Sequence, residues 1–354
     1  MWSLPRLRLY CLLLFQSLFL SISAQGELFQ SDSILELELS GDTRSLFNDR
    51  EGEATYFKME LSYQDDEGEK VIHPLKVKTR GNFRRDRNNC FYPPLWLNFP
   101  KFKIPEGSVF AGQDKIKLVT PCRDQKYVIG EYLAYRMYNI LSPLSFQARL
   151  VKVRYTDSVK GKTSDAMYGI LLEGKDEMAA RNEAKIIKRK KIRPNKTDKS
   201  LFLKMATFQY LIGNTDWSIE YQHNVKLMVQ EGNLRPLPVP YDFDHAGIVK
   251  APYAHPAPAL QMSSTQERRY RGYCVEGMSY FEETFALFNA KKEAIYQLFQ
   301  ENTLLEKRYK KGISKYLDDF YKTINSLKAS KKAFLYPCDK NGTGQVIIRG
   351  LNVD

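Results

Sequence analysis

Apolar and polar residues alternate over residues 34–39, 54–63 and 71–79. A period of two predicts strands with one buried face. The third run ends at Arg80-Gly81-Asn82, and residues 83–90 are polar and basic, as in a loop. Pro93-Pro94 punctuates the chain before a short strand over 95–99, and residues 115–119 predict another. At Lys126 the period changes. Apolar residues recur at Val128, Tyr132, Leu133, Met137, Ile140 and Leu141, which is helical spacing. Residues 148–155 and 168–172 read as a strand pair, and 176–184 as a short helix. A helix from Ser200 to about Ile212 would bury Leu201, Met205, Phe208, Leu211 and Ile212. Residues 225–229 and 237–240 predict a hairpin, and 280–300 and 304–329 two long helices. Strands early and helices late predict an α+β chain of two lobes. The strand-rich N-terminal lobe would cover 25–172 and the mainly helical C-terminal lobe 173–354.

The N-terminus changes the compartment. Arg6 and Arg8 precede an apolar stretch over 10–22 that is too short for a membrane span, and Ser23-Ala24 before Gln25 offers a small-residue cleavage site. Residues 1–24 therefore read as a signal peptide, and Cys11 leaves with it. No Cys stands at the cleavage point and no later run is long enough for a membrane helix. The mature chain is expected to be exported, periplasmic or extracellular, without a transmembrane segment. Cys90, Cys122, Cys274 and Cys338 remain. An even number in an exported chain permits two disulfides, and three pairings are open. Cys90–Cys122 with Cys274–Cys338 is preferred, because each pair falls within one lobe; four free thiols are the alternative. The cysteine spacing matches no zinc motif.

The formal net charge of +13 favours anionic partners such as acidic peptides, nucleic acid or anionic glycans, without choosing among them. No zinc finger, basic zipper or RNA-recognition motif is present, so nucleic acid is not an expected partner. Much of the charge sits in Lys185, Lys188, Arg189, Lys190, Lys191, Arg193, Lys196 and Lys199, against the single acid Asp198. Such a run is usually a solvated loop. Its functional alternative is a docking rim for an acidic substrate.

The candidate chemistry lies just beyond. Asn214-Thr215-Asp216 follows the helix ending near Ile212, Asn224 comes eight residues after Asp216, and Pro240-Tyr241-Asp242-Phe243-Asp244 closes the hairpin. Asp242 and Asp244 would share one face of an extended segment. Oxygen ligands of this kind suit magnesium, which is commonly held by one or two carboxylates together with phosphates. Asn-Thr-Asp is also an ordinary turn composition, so each motif alone has a purely structural explanation.

In order along the chain, Arg80-Gly81-Asn82, Glu131-Tyr132-Leu133-Ala134, Gly169-Ile170-Leu171-Leu172-Glu173, Asn214-Thr215-Asp216 with Asn224, and Pro240-Tyr241-Asp242-Phe243-Asp244 resemble the motifs of the spore-coat protein H (CotH) kinase-like family. The resemblance spans roughly residues 70–250 and implies a two-lobed protein-kinase-like fold. It implies Asp216 as the catalytic-loop Asp, orienting or deprotonating an acceptor hydroxyl. It implies Asn224, Asp242 and Asp244 as ligands of Mg2+ or Mn2+, with ATP as the nucleotide. Glu173 would lie near the adenine, at the link between lobes. Here the family's small hydroxyl residues after Arg-Gly-Asn are replaced by Phe83-Arg84-Arg85, and the strand over 95–98 lacks an internal Lys. Lys117 paired with Glu131 is the substitute for gripping phosphate, with Arg80 and Lys78 as others. His223, Tyr253 and His255 would stand beside the site or simply pack loops.

The leading expectation is a secreted Mg2+-dependent kinase that transfers the γ-phosphate of ATP to Ser or Thr of an exported or surface protein. A catalytically inactive pseudokinase and a surface-assembly or binding module are the alternatives.

Overall fold

The computed structural model describes residues 27–100, 104–272 and 275–335. The segment read as a signal peptide and the expected Cys274–Cys338 pairing lie outside the described residues.

The chain runs β1 (Leu35–Gly41), α1 (Thr43–Asn48), β2 (Phe57–Gln64), β3 (Lys70–Thr79), β4 (Leu95–Asn98), β5 (Lys115–Val119), α2 (Gln125–Leu141), β6 (Ala148–Asp157), β7 (Lys162–Thr163) and β8 (Met167–Leu172). It continues through α3 (Lys175–Arg181), β9 (Ala184–Ile186), α4 (Lys199–Ile212), β10 (Val225–Gln230), β11 (Leu237–Pro240), α5 (Glu282–Ala290), α6 (Lys292–Gln300), α7 (Lys307–Ile324) and α8 (Leu327–Phe334). The class is α+β.

The first sheet has the order β1-β2-β3-β4-β5-β8-β6-β7, and β1 also pairs in parallel with β6, from Leu35 opposite Val151 to Gly41 opposite Asp157. That pairing closes seven strands into a barrel. Alternation in the strands places Leu39, Leu61, Val77, Leu97, Ile116 and Leu118 in its core. Closure was not foreseen. A strand alternates identically whether its sheet is open or shut, and β1 and β6 meet across more than a hundred residues.

The second core gathers α2, α4 and the C-terminal helices. Helix α2 starts at Asp124, whose side chain accepts from the Lys126 N–H at 2.9 Å. It is buried on most faces and packs against β6, β8 and α6, so a helix from the first half of the chain joins the helical core. The two predicted C-terminal helices are each divided. Lys291 separates α5 from α6, and Ser326 caps α8 by accepting from the Ala329 N–H. A break of one residue, or of two at Asn325-Ser326, barely disturbs apolar periodicity, which is why the sequence pattern ran through both. Among the described residues no helix is long and apolar enough to cross a membrane.

Cys90 and Cys122 form a disulfide with a Cα–Cα distance of 4.4 Å. It ties the polar segment after β3 to the connection between β5 and α2, and the Phe91 N–H donates to the Cys122 carbonyl at 3.0 Å beside it. The bond is compatible with an extracellular or periplasmic location. It closes a separation of 32 residues, so Cys90→Ala with Cys122→Ala is expected to cost about 3–4 kcal/mol, read as a lower urea midpoint.

Candidate functional site

Helix α4 begins at Asp198, which accepts from the Leu201 N–H, and ends at Gly213 in the left-handed conformation with φ 68°. A side chain there would overlap the Tyr316 hydroxyl and crowd the Thr265 carbonyl, so packing as well as conformation favours glycine. The turn delivers Asn214, whose Oδ1 accepts from the Asp216 N–H at 3.0 Å. Trp217 is fully buried and donates from its indole to the Asn214 carbonyl. Buried Arg271 donates to the Thr215 and Trp217 carbonyls, fastening the loop from behind. Asp216 is thereby held on a loop with little freedom. Its Oδ1 lies 3.0 Å from His223 Nε2, and the Asn224 amide donates to its Oδ2 at 3.1 Å and to its carbonyl at 2.8 Å.

The hairpin of β10 and β11 brings Asn224 to the second acidic segment. Val225 pairs with Pro240, and the Tyr241 N–H donates to the Asn224 carbonyl at 3.0 Å. The segment that follows is a turn, not the extended strand expected. Asp242 has φ 62°, and its N–H donates to the Tyr135 hydroxyl at 2.8 Å. Phe243 is driven into the core against Tyr135 and Phe208, which leaves Asp242 and Asp244 on the cleft side. Gln222, Asn224 and Asp242 all hold a positive φ without being glycine, a strained geometry that clusters at functional sites.

The barrel supplies the opposite wall. Lys117 sits on β5 between Trp96 and Leu172 of the flanking strands, and its Nζ is 3.0 Å from Asp242 Oδ1. Arg80, at the end of β3, stacks over the Trp96 ring. Arg84 lies in a single 3-10 turn, Phe83–Arg85, and is buried. It donates to the Thr120 carbonyl and stands 3.5 Å from Glu131 and 3.7 Å from Asp244. Its neighbour Arg85 faces away and holds Asp49 at 3.1 Å. Phe83, His245 and Tyr253 meet edge to face or tilted at the mouth. The result is a cleft of about 420 Å3 between barrel and helical core, lined by Arg80, Arg84 and Lys117 on one side and by Asp216, Asn224, Asp242 and Asp244 on the other.

The charges set the protonation states. Burial works to raise the Asp242 pKa, but Lys117, Arg80 and Arg84 outweigh it and hold the carboxyl well below its usual range. Asp216 is likewise lowered: burial opposes its charge, and the hydrogen bond from His223, with the His223 and His245 rings, more than compensates. Glu131 goes the other way. Burial first, and then the Asp244 charge, push it up to about 8 against the pull of Arg84. A carboxyl lowered on folding binds fewer protons in the native state, so its stabilisation is present above the ordinary Asp pKa and lost as pH falls through the folded value. Stability measured from pH 5 down to pH 2 is therefore expected to fall less steeply in Asp242→Asn than in the natural protein.

The structure brings Asp216, Asn224, Asp242, Asp244, Lys117 and Arg80 into one cleft. It does not join Lys117 to Glu131. Lys117 bonds Asp242, while Glu131 of α2 takes Arg84 and feels Lys117 only as a nearby charge. Glu173 is committed elsewhere. Its carboxylate receives Arg181 at 2.9 Å and the Gln147 N–H at 2.8 Å, and it does not line the cleft. Lys78 lies over the Tyr56 ring instead. His223 reaches the site, Tyr253 joins the mouth, and His255 is exposed. Arg84 and His245 were the residues overlooked. Nothing in a polar loop distinguishes an inward Arg84 from an outward Arg85.

Among the described residues no three His, Cys, Asp or Glu side chains form a ready-made metal centre. The available donors are the Asp242 and Asp244 carboxylates and the Asn224 carboxamide oxygen, because the Asn224 nitrogen is engaged by Asp216. Such a sparse oxygen set fits a hard cation that takes its other ligands from phosphate and water.

No protein-family model matches the chain, and no curated protein matches it. Among solved structures it is similar to the Helicobacter pylori proinflammatory kinase CtkA, at 10% identity and a TM-score of 0.38, over 68% of this chain and 91% of that one.

Proposed function

We propose that the cleft is the active site of a CotH-like kinase, which transfers the γ-phosphate of ATP to a Ser or Thr hydroxyl of an exported or surface protein. The observation that carries this reading is the opposition of Lys117, Arg80 and Arg84 to Asp216, Asn224, Asp242 and Asp244 across one cleft. Phosphoryl transfer asks a protein mainly for alignment and for charge complementary to the phosphate oxygens. Asp242, with Asn224 and Asp244, would hold Mg2+ or Mn2+, which when bound offsets the negative charge of the phosphates. Lys117 and Arg80 would bind phosphate oxygens from the barrel side. Asp216, ionised at neutral pH and fixed by His223 and Asn224, would accept the hydrogen bond of the acceptor hydroxyl and set its direction.

One observation favours a second reading, a pseudokinase or binding module. Each acid of the cleft already has a basic partner: Lys117 on Asp242, Arg84 on Asp244 and His223 on Asp216. Incubation with γ-labelled ATP and Mg2+ or Mn2+ separates the two. Labelling that is present in the natural protein and lost in Asp216→Ala and Asp242→Ala supports the kinase. Equal labelling in all three, or none in the folded natural protein, supports the second.

A further inference from the structure

From Ala184 to Thr197 the chain contains no acid and seven cations. In the fold this segment is not a free loop. Strand β9 pairs with β10 through Ile186 opposite Met228, and the Ile187 N–H donates to the Leu227 carbonyl at 2.8 Å. The segment then runs back along the loop that carries the site. The Gln222 side-chain amide donates to the Arg189 carbonyl at 2.7 Å, and the Lys191 N–H donates to the Glu220 carbonyl at 2.8 Å. Gln222 is buried and immediately precedes His223, the partner of Asp216. Both ends of this clamp are held at positive φ, Lys191 at 61° and Gln222 at 51°. The backbone is thus fixed while the side chains of Lys188, Arg189, Lys190, Lys191 and Arg193 are exposed, and none of the five forms an ion pair among the described residues. The adjoining 218–224 loop contributes one acid, Glu220.

A solvated charge run needs no backbone anchor. Here unpaired cations are attached, by two hydrogen bonds, to the loop that positions Asp216. We propose that this basic rim docks an acidic stretch of a protein substrate, Asp- and Glu-rich residues flanking the acceptor Ser or Thr. The inference rests on the kinase reading for the acceptor, but the docking itself requires no phosphate transfer. Rim charges of this kind act mainly on association rate and salt dependence, and an extended acidic peptide can meet several of them together. A strand entering beside the Asp216 loop would be held in register by its charges rather than by a deep pocket.

The test is fluorescence anisotropy with the full protein and two labelled peptides of equal length around one Ser, one rich in Asp and Glu, the other with Asn and Gln at those places. The acidic peptide is expected to bind at least about tenfold more tightly, and the advantage to shrink as salt rises from 50 to 300 mM, in the manner of screened charges. Lys188→Glu with Arg189→Glu and Lys190→Glu should abolish the preference with the melting temperature unchanged, and Lys190→Glu alone should reduce it. Asp216→Asn should retain it. Equal binding of the two peptides, or a preference insensitive to the rim in folded variants, overturns the proposal. So does equally tight rim-dependent binding of duplex RNA or of phosphatidylserine vesicles. Rim-dependent acidic-peptide binding by a protein that transfers no phosphate supports the docking and overturns the kinase reading instead.

Discussion

Arg84→Met is expected to lower stability by about 3–5 kcal/mol, the usual consequence of removing one partner from a buried ionic cluster. Arg84 is the buried cation facing both Glu131 and Asp244. Without it, two buried carboxylates confront each other with Asp242 close by, and the Thr120 carbonyl loses its donor. For a chain of this size the loss corresponds to a fall of about 5–8 °C in melting temperature. The loss should be partly reversible. Arg84→Met with Glu131→Gln removes both halves of one pair, and such replacements are often near neutral, so the double variant should recover much of the deficit in a thermodynamic cycle. Its pH dependence is a separate check. Glu131 has a raised folded pKa, so its contribution is full below the ordinary Glu value and declines as pH rises through the folded one. Removing Arg84 removes the charge that opposes this rise, so the decline should extend to higher pH in Arg84→Met. A variant as stable as the natural protein at pH 8 would show that the cluster is hydrated and that Arg84 is not its keystone.

The way Arg84 reaches the cleft also explains which parts of the molecule were legible in sequence. Strands β2 to β4 follow from alternation, and helices α2 and α4 from helical spacing and length, with a capping Asp at the start of each. The Asp216 loop was legible because a helix, a glycine terminator and a polar turn are contiguous. The approach of Asn224 to Asp242 was legible because a hairpin fixes register over a short separation. Barrel closure, the Glu131 partner and the commitment of Glu173 to Arg181 were not. Each depends on residues brought together from distant parts of the chain, where composition supplies candidates but not distances. Lys117 illustrates the limit. As a Lys on a predicted strand it was a reasonable cation for the cleft, yet its partner Asp242 lies 125 residues further along the chain. The extended reading of 240–244 failed for a related reason: Phe243 is claimed by the core, and the backbone bends at Asp242 to deliver it.

Asp216→Asn is expected to reduce phosphate transfer by about 10²- to 10⁴-fold, the range ascribed to a positioned acid or base, while leaving nucleotide affinity within about threefold. The substitution keeps size and shape. Asn214 Oδ1 can still accept from the residue 216 N–H, and the Asn224 amide can still donate to the residue 216 carbonyl, so the loop and the melting temperature should hold. What disappears is the negative charge at the proposed acceptor side. Because the Asp216 carboxyl is held below its ordinary pKa, it is ionised at neutral pH and is a weak proton acceptor. Its leverage is therefore orientation of the hydroxyl, and transfer by the natural protein should show no acidic limb from Asp216 above pH 5. Lys117→Met should differ in its effect on nucleotide binding. Lys117 bonds Asp242 on the proposed phosphate side, so its loss should weaken nucleotide binding as well as transfer. The two variants measured together, by nucleotide titration and by initial rate with a fixed acceptor, divide the cleft into an acceptor half and a phosphate half. Loss of nucleotide binding in Asp216→Asn, or full transfer in it, would remove Asp216 from the acceptor side and with it the proposed direction of attack.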